Sequence, residues 1–156
     1  MKKIDISTAK ASLGSGYPAP YDEPCRQRKR FRLGDAAGLT QFGVNLLRLP
    51  PGVWSSQRHW HTAEDEFVYV LEGEVVLISD AGEEVLRAAD CAGFKAGERD
   101  GHHLLNRTDT DAVLLEIGSR SPDSDGVDYP DIDLVIRAGA RAFLRKDGTP
   151  YPPRPR

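Results

Sequence analysis

The sequence predicts an all-β domain, a sandwich or barrel, carrying an extended N-terminal arm and a proline-rich C-terminal tail. Three observations predict it. Between residues 41 and 118, short runs rich in β-branched, aromatic and aliphatic residues follow one another closely: QFGVNLLRL, EFVYVL, EVVLIS, EEVLRA, CAGFKA, HHLLN and AVLLEIG. The joints between them carry turn chemistry, as at Pro50-Pro51-Gly52, Glu72-Gly73, Asp80-Ala81-Gly82 and Asp109-Thr110-Asp111. The flanking segments lack this pattern: residues 1–37 hold Pro18, Pro20 and Pro24 with no sustained helical or strand period.

A chain of 156 residues suits one domain with its own core. The reading in chain order is therefore an arm over 1–37, a barrel over 38–120 and a C-terminal segment over 121–156 that packs on the barrel or on a partner. Within that last segment Ile132 to Ile136 is the one apolar stretch, and it could add a strand to a barrel edge. The four prolines from Pro150 onward lack the donor a strand ladder needs, so the tail should end the sheet.

A net charge of -3 gives no general attraction to nucleic acid or to an anionic membrane. The basic run Arg26, Arg28, Lys29, Arg30 and Arg32 reads as a solvated arm, and Asp123 to Asp128 as a solvated acidic loop. No stretch is long enough to span a bilayer, and no apolar run follows the N-terminal lysines, which places the protein in the cytoplasm. Cys25 and Cys91 read as free thiols, because one lies in a proline-rich segment and the other inside a strand.

The chemistry concentrates in two segments. In PPGVWSSQRHWHTAEDEFVYVLEGE, His59 and His61 are two residues apart and share one face of a strand, with Arg58 and Trp60 on the other. After a short turn Glu66 opens the next strand with Val68 and Val70 on its own side, which suits a carboxylate facing the interior. Glu64 and Asp65 are alternative carboxylates, since a one-residue slip changes which side chain points inward. In AADCAGFKAGERDGHHLLNRT, His102 and His103 leave opposite faces of one strand, so one of the two should point inward. Three imidazoles and a carboxylate suit one divalent ion of Fe, Mn, Ni, Co, Zn or Cu.

These residues resemble the cupin family. Gly52, His59, His61, Glu66 and Gly73 look like its first motif; Gly97, His102 and Asn106 look like its second. The resemblance spans about half the chain, Pro50 to Asn106, and is closest to short bacterial cupins described as sugar-phosphate isomerases. It implies a jelly-roll-like barrel with a metal held by His59, His61, Glu66 and His102, the last chosen over His103 by its spacing to Asn106. Four departures fall on the rim of the site: one extra residue between Gly52 and His59, Ala89 where a glycine is usual, Lys95 where a proline is usual, and four residues rather than two between Gly97 and His102.

The function expected is that of a metalloenzyme, an isomerase, dioxygenase or lyase acting on a small oxygenated molecule, anionic or neutral. The alternative is a noncatalytic binding or sensor barrel. Asn45, Arg58, Lys95 and Arg99 are the candidate substrate-binding residues, and no catalytic residue outside the ligands is assigned. A homodimer is expected, because a small barrel has difficulty burying its terminal segments alone.

Overall fold

The computed structural model describes residues 3–140 and 142–152. Along the chain run β1 (Ala11–Leu13), β2 (Lys29–Arg32), α1 (Leu33–Ala37), β3 (Phe42–Leu49), β4 (Trp60–His61), β5 (Glu66–Glu72), β6 (Glu74–Ser79), β7 (Gly82–Arg87), β8 (Cys91–Phe94), β9 (His103–Leu105), β10 (Ala112–Ser119), β11 (Val127–Tyr129) and β12 (Leu134–Ile136). One layer is a six-stranded sheet in the order β1-β2-β3-β10-β5-β8. The other consists of two three-stranded sheets, β12-β11-β4 and β7-β6-β9, joined by the His59–His102 and Trp54–Leu105 bridges. All pairings are antiparallel. This is the barrel that the strand runs predict.

Register decides where the core ends and the site begins. Side chains two apart share a face, so Asn45, Leu47 and Leu49 of β3 point inward beside Glu116, Leu114 and Ala112 of β10, their partners in the ladder. On β5 the inward set is Glu66, Val68 and Val70. At one end of the barrel these rows meet Val53, Val75, Leu86 and Leu104 in a core where Leu47, Leu49, Val70 and Leu114 have no exposed surface. At the other end the same rows turn polar, with Asn45, Glu66 and Glu116. The alternation of each strand thus places an apolar plug beneath a polar cavity.

The turn between β5 and β6 needs Gly73, which has φ of 77° and a position where a Cβ would come 2.8 Å from the Asp111 carbonyl oxygen. Ala89, standing where the resemblance expects glycine, also holds a positive φ of 77° and bonds through its N–H to the Val70 carbonyl. The turn there, beside the apolar end of the barrel and not at the cavity, keeps the backbone shape without the glycine.

The terminal segments depart from the sequence reading in three ways. Residues 3–37 are more than an extended arm: β1 and β2 extend the large sheet, with the single helical turn α1 following, closed by Gly38 at φ of 72°. Five residues are too few to show a helical period. The Ile132–Ile136 stretch adds β12 at a sheet edge, as expected, but it needs no partner: Leu134 is buried in a second core with Tyr17, Cys25, Val127 and Tyr129, and Ile132 and Ile136 pack against that core, built by the two ends of the chain together. Finally, Pro150 forms a bridge with Leu144 despite lacking a donor, because the bonds run from Arg145 N to Thr149 O and from Tyr151 N to Phe143 O. The final prolines of the tail, Pro153 and Pro155, lie outside the described residues.

Candidate metal centre

Four side chains from three places in the chain converge at the polar end of the barrel. His59 and His61 come from the β4 segment, Glu66 from the first position of β5, and His102 from the residue before β9, where its backbone bridges that of His59 with bonds of 3.1 and 2.9 Å. Glu66 Oε2 lies 3.5 Å from His59 Nε2, 3.6 Å from His61 Nε2 and 3.0 Å from His102 Nε2. The ligating atoms of His59, His61 and Glu66 all fall within 4.8 Å of one another. Three Nε2 atoms therefore face one carboxylate oxygen.

The donor set fits a divalent ion, and the reason lies in the far side of each ring. His59 Nδ1 is 2.9 Å from the Gln57 carbonyl oxygen, which can only accept, so that nitrogen carries the proton and Nε2 keeps its lone pair. His61 Nδ1 is likewise 2.7 Å from Asp125 Oδ2. Asp125 is itself held by the backbone N–H groups of Ala63 and Glu64 at its other oxygen. A carboxylate behind a histidine fixes the ring and raises its basicity toward a metal. His102 differs: its Nδ1 is buried without a hydrogen-bonding partner, and its ring is fixed instead by Phe94, stacked at 3.5 Å with the planes 1° apart. Three nitrogens and one oxygen suit Mn, Fe, Co, Ni, Zn or Cu.

Without an ion the cluster is strongly coupled. Burial works against the Glu66 carboxylate, yet His102 Nε2 at hydrogen-bonding distance and the charge that His59 and His61 bring when protonated hold it well below the usual carboxylate range. Burial also opposes a charged His59, but the bond and charge of Glu66 outweigh it and the ring titrates above its ordinary value; burial keeps His102 below. His103 sits on the opposite face, its Nδ1 3.1 Å from the Ser56 carbonyl oxygen and its ring 4.4 Å from that of Trp54, and burial pushes it down to about 4. It takes no part in the cluster.

Of the alternative carboxylates, Asp65 turns away to accept the Ala96 N–H at 2.8 Å. Glu64 accepts the Ser121 N–H at 2.5 Å and stands near His61 and Asp125. A cavity of about 320 Å³ opens on one side of the cluster, and a second of about 190 Å³ on the other. Both are lined by His61, Glu64, Glu66, Phe94 and His102.

The candidate substrate-binding residues are scattered. Asn45 lines the larger cavity, as its inward register requires, and Lys95 lines the smaller one. Arg58 lies outside both: its guanidinium is clamped by Asp131 at 2.6 and 2.7 Å and by Asp80, which raises its pKa and leaves it no charge to offer. Arg99 is exposed, 5.6 Å above the Trp60 ring, beside a separate surface groove.

The residues that the sequence reading missed are those it called solvated. Arg28 is 6% exposed, Arg30 pairs with Glu116 at 2.7 Å, and both line the larger cavity. Asp125, in the acidic loop, is 8% exposed behind His61. One signal was available: Glu116 shares parity with Leu114 and Ala112, so a glutamate on an otherwise apolar face marked the cavity wall. Nothing local marked Asp125, whose partner is 64 residues away.

The comparisons with known proteins bear on the family and the fold. A family model described as "Cupin domain" matches residues 45–118. A crystal structure of a sugar phosphate isomerase of the cupin superfamily from Silicibacter pomeroyi is 45% identical over 97% of each chain, with a TM-score of 0.89. A protein from Acidithiobacillus ferrooxidans, provisionally named a sugar phosphate isomerase, is 32% identical over 78% of each chain, with a TM-score of 0.71. The polyketide cyclase RemF from Streptomyces resistomycificus shares the fold at 19% identity, covering 76% of this chain and 79% of its own, with a TM-score of 0.61. No curated protein matches.

Proposed function

This chain belongs to the cupin superfamily, and from that premise we propose that it is a metal-dependent enzyme isomerising a small phosphorylated sugar. The observation that carries the reading is the convergence of three imidazole Nε2 atoms on Glu66 Oε2 beside a cavity large enough for a small metabolite. The name of the Silicibacter pomeroyi relative supports isomerisation over the dioxygenase and lyase chemistries that similar sites can serve. His59, His61, Glu66 and His102 would hold one divalent ion, which supplies Lewis-acid polarisation of a substrate hydroxyl or carbonyl oxygen.

The rest falls to the chain's own side chains. Isomerisation moves a proton between neighbouring carbons. Of the three glutamates lining the cavity, Glu66 faces the histidines and Glu116 is held by Arg30, whereas Glu64 has no ion pair among the described residues. Glu64 is the carboxylate left to take and return that proton. Asn45 offers its amide to a substrate hydroxyl, and Phe94 shields one side of the site from water.

The test is a panel of aldose and ketose phosphates in D₂O with protein loaded separately with Mn(II), Fe(II), Ni(II) or Zn(II), with and without O₂. Solvent deuterium should enter the carbon next to the carbonyl. His59→Ala should abolish this with the metal, and Glu64→Gln should abolish it while the metal stays. Product that appears only with O₂ would overturn isomerisation in favour of an oxygenase. Ligand-induced stabilisation without product across the panel would favour a noncatalytic binding barrel.

We further propose a cytoplasmic homodimer. The two free cysteines agree with a reducing compartment. No helix among the described residues is long and apolar enough to cross a membrane. With Leu134 and Val135 buried in its own chain, the edge offered to a second copy is β1, where Leu13 is 75% exposed.

A further inference from the structure

The larger cavity contains a buried charge that the metal cluster does not use. Arg28, just before β2, is 6% exposed and lines the cavity wall. Its guanidinium donates to two carbonyl oxygens, Gly14 O at 3.0 Å and Ser55 O. No carboxylate among the described residues pairs with it, and the neighbouring charge it feels most is Arg30, of the same sign. Arg30 has Glu116 as its counter-ion, at 2.7 Å; Arg28 has none. Beside it the hydroxyls of Ser55 and Ser56, buried and 3.4 Å apart, face the same space.

A buried guanidinium without a counter-ion is unfavourable, even when its N–H groups are bonded to carbonyls. Its position is nevertheless fixed from both sides, by the turn at Gly14 and by the Ser55 backbone. The charge of the cavity points the same way. Three arginines (28, 30 and 120) and three glutamates (64, 66 and 116) line it, so the wall is balanced before any ion is bound, and a divalent ion leaves it net positive. An anionic ligand restores neutrality and gives Arg28 its missing partner.

We propose that Arg28, with Ser56 and Arg30 beside it, is the subsite that receives the phosphate group of the ligand. The planar guanidinium fork matches phosphate oxygens, and the hydroxyl adds a neutral donor. The substrate would be held at two points, its phosphate on the arm-derived Arg28 and its sugar oxygens toward the histidines. This rests on the proposed function for the identity of the ligand, but not for the anion site itself, which the geometry defines without a metal.

Inorganic phosphate is the probe, titrated at constant ionic strength against full-length wild type, Arg28→Gln, Arg28→Lys and Glu66→Gln, the last treated with chelator. Phosphate should raise the unfolding temperature of wild type above that in chloride, and its affinity should fall at least tenfold in Arg28→Gln and less in Arg28→Lys. Glu66→Gln with chelator should still bind phosphate, and that binding should still be lost when Arg28→Gln is added. Because Arg28 is buried and its variants could fail to fold, side-chain NMR of ¹⁵N-arginine wild type provides a second reading: phosphate should shift the Arg28 Nε signal and leave that of the clamped Arg58 unchanged. Phosphate binding that is indifferent to Arg28, or that disappears with Glu66→Gln and chelator, would overturn the subsite. Arg28-dependent phosphate binding in a protein that takes up no metal would uphold the subsite and sink the metal reading instead.

Discussion

His102→Ala is expected to strip the protein of its divalent ion, whereas His103→Ala keeps it. The two rings leave opposite faces of one strand: His102 Nε2 lies 3.0 Å from Glu66 Oε2, and His103 is turned against Trp54 and the Ser56 carbonyl. Removing a ligand should cost more than the ~10–100-fold in affinity typical of losing an outer partner, so Asp125→Asn, which removes only the charge behind His61, should fall between wild type and His102→Ala. His103→Ala should instead destabilise the fold by about 2 kcal/mol, through the void left beside Trp54. Elemental analysis after dialysis, with chelator competition for the affinities, orders the four proteins. Equal retention by the two alanine variants would contradict the assignment of His102.

Asn106→Ala is expected to be the costliest single change for stability, with the metal site left intact. The side chain has no exposed surface, and all of its bonding capacity is used: the amide nitrogen donates to Leu49 O and Thr110 O, both at 2.7 Å, and Oδ1 accepts from the Thr108 N–H at 2.9 Å and its hydroxyl at 2.8 Å. It ties β3, the end of β9 and the turn before β10 together at the apolar end of the barrel, away from the ligands. A methyl group there leaves a buried carbonyl and an N–H without partners at about 1–3 kcal/mol each, so a loss of roughly 3–5 kcal/mol follows. For a chain of this size that lowers the unfolding temperature by about 10 °C. Scanning calorimetry on metal-free protein measures it. A variant that melts like wild type but binds no metal would show that Asn106 serves the ligands rather than the turn.

What could be read from the sequence follows the physics of strands. Period-two alternation on β5 put Glu66 on one side with Val68 and Val70, and on β3 put Asn45 on one face with Leu47 and Leu49 while leaving open which face turned inward, because in a strand the sharing of a face is a local property and its direction is not. The His-x-His spacing put His59 and His61 on one side for the same reason. What alternation does not carry is pairing between distant segments. Arg28 and Asp125 looked solvated because charged residues in proline- and glycine-rich stretches usually are, and only the packing of the two chain ends against the barrel buries them. Arg58 shows the converse: it stands next to a ligand in sequence, yet points outward to Asp80 and Asp131, so nearness along the chain misplaced it.

The central claim is that His59, His61, Glu66 and His102 together hold one divalent ion. X-ray absorption at the metal edge tests it most directly, on full-length protein loaded with one equivalent of Mn(II) or Zn(II). Multiple-scattering features from three imidazoles are expected, falling to two in His102→Ala and unchanged in His103→Ala. A wild-type spectrum showing an oxygen-only shell, or three imidazoles that survive the loss of His102, would contradict it.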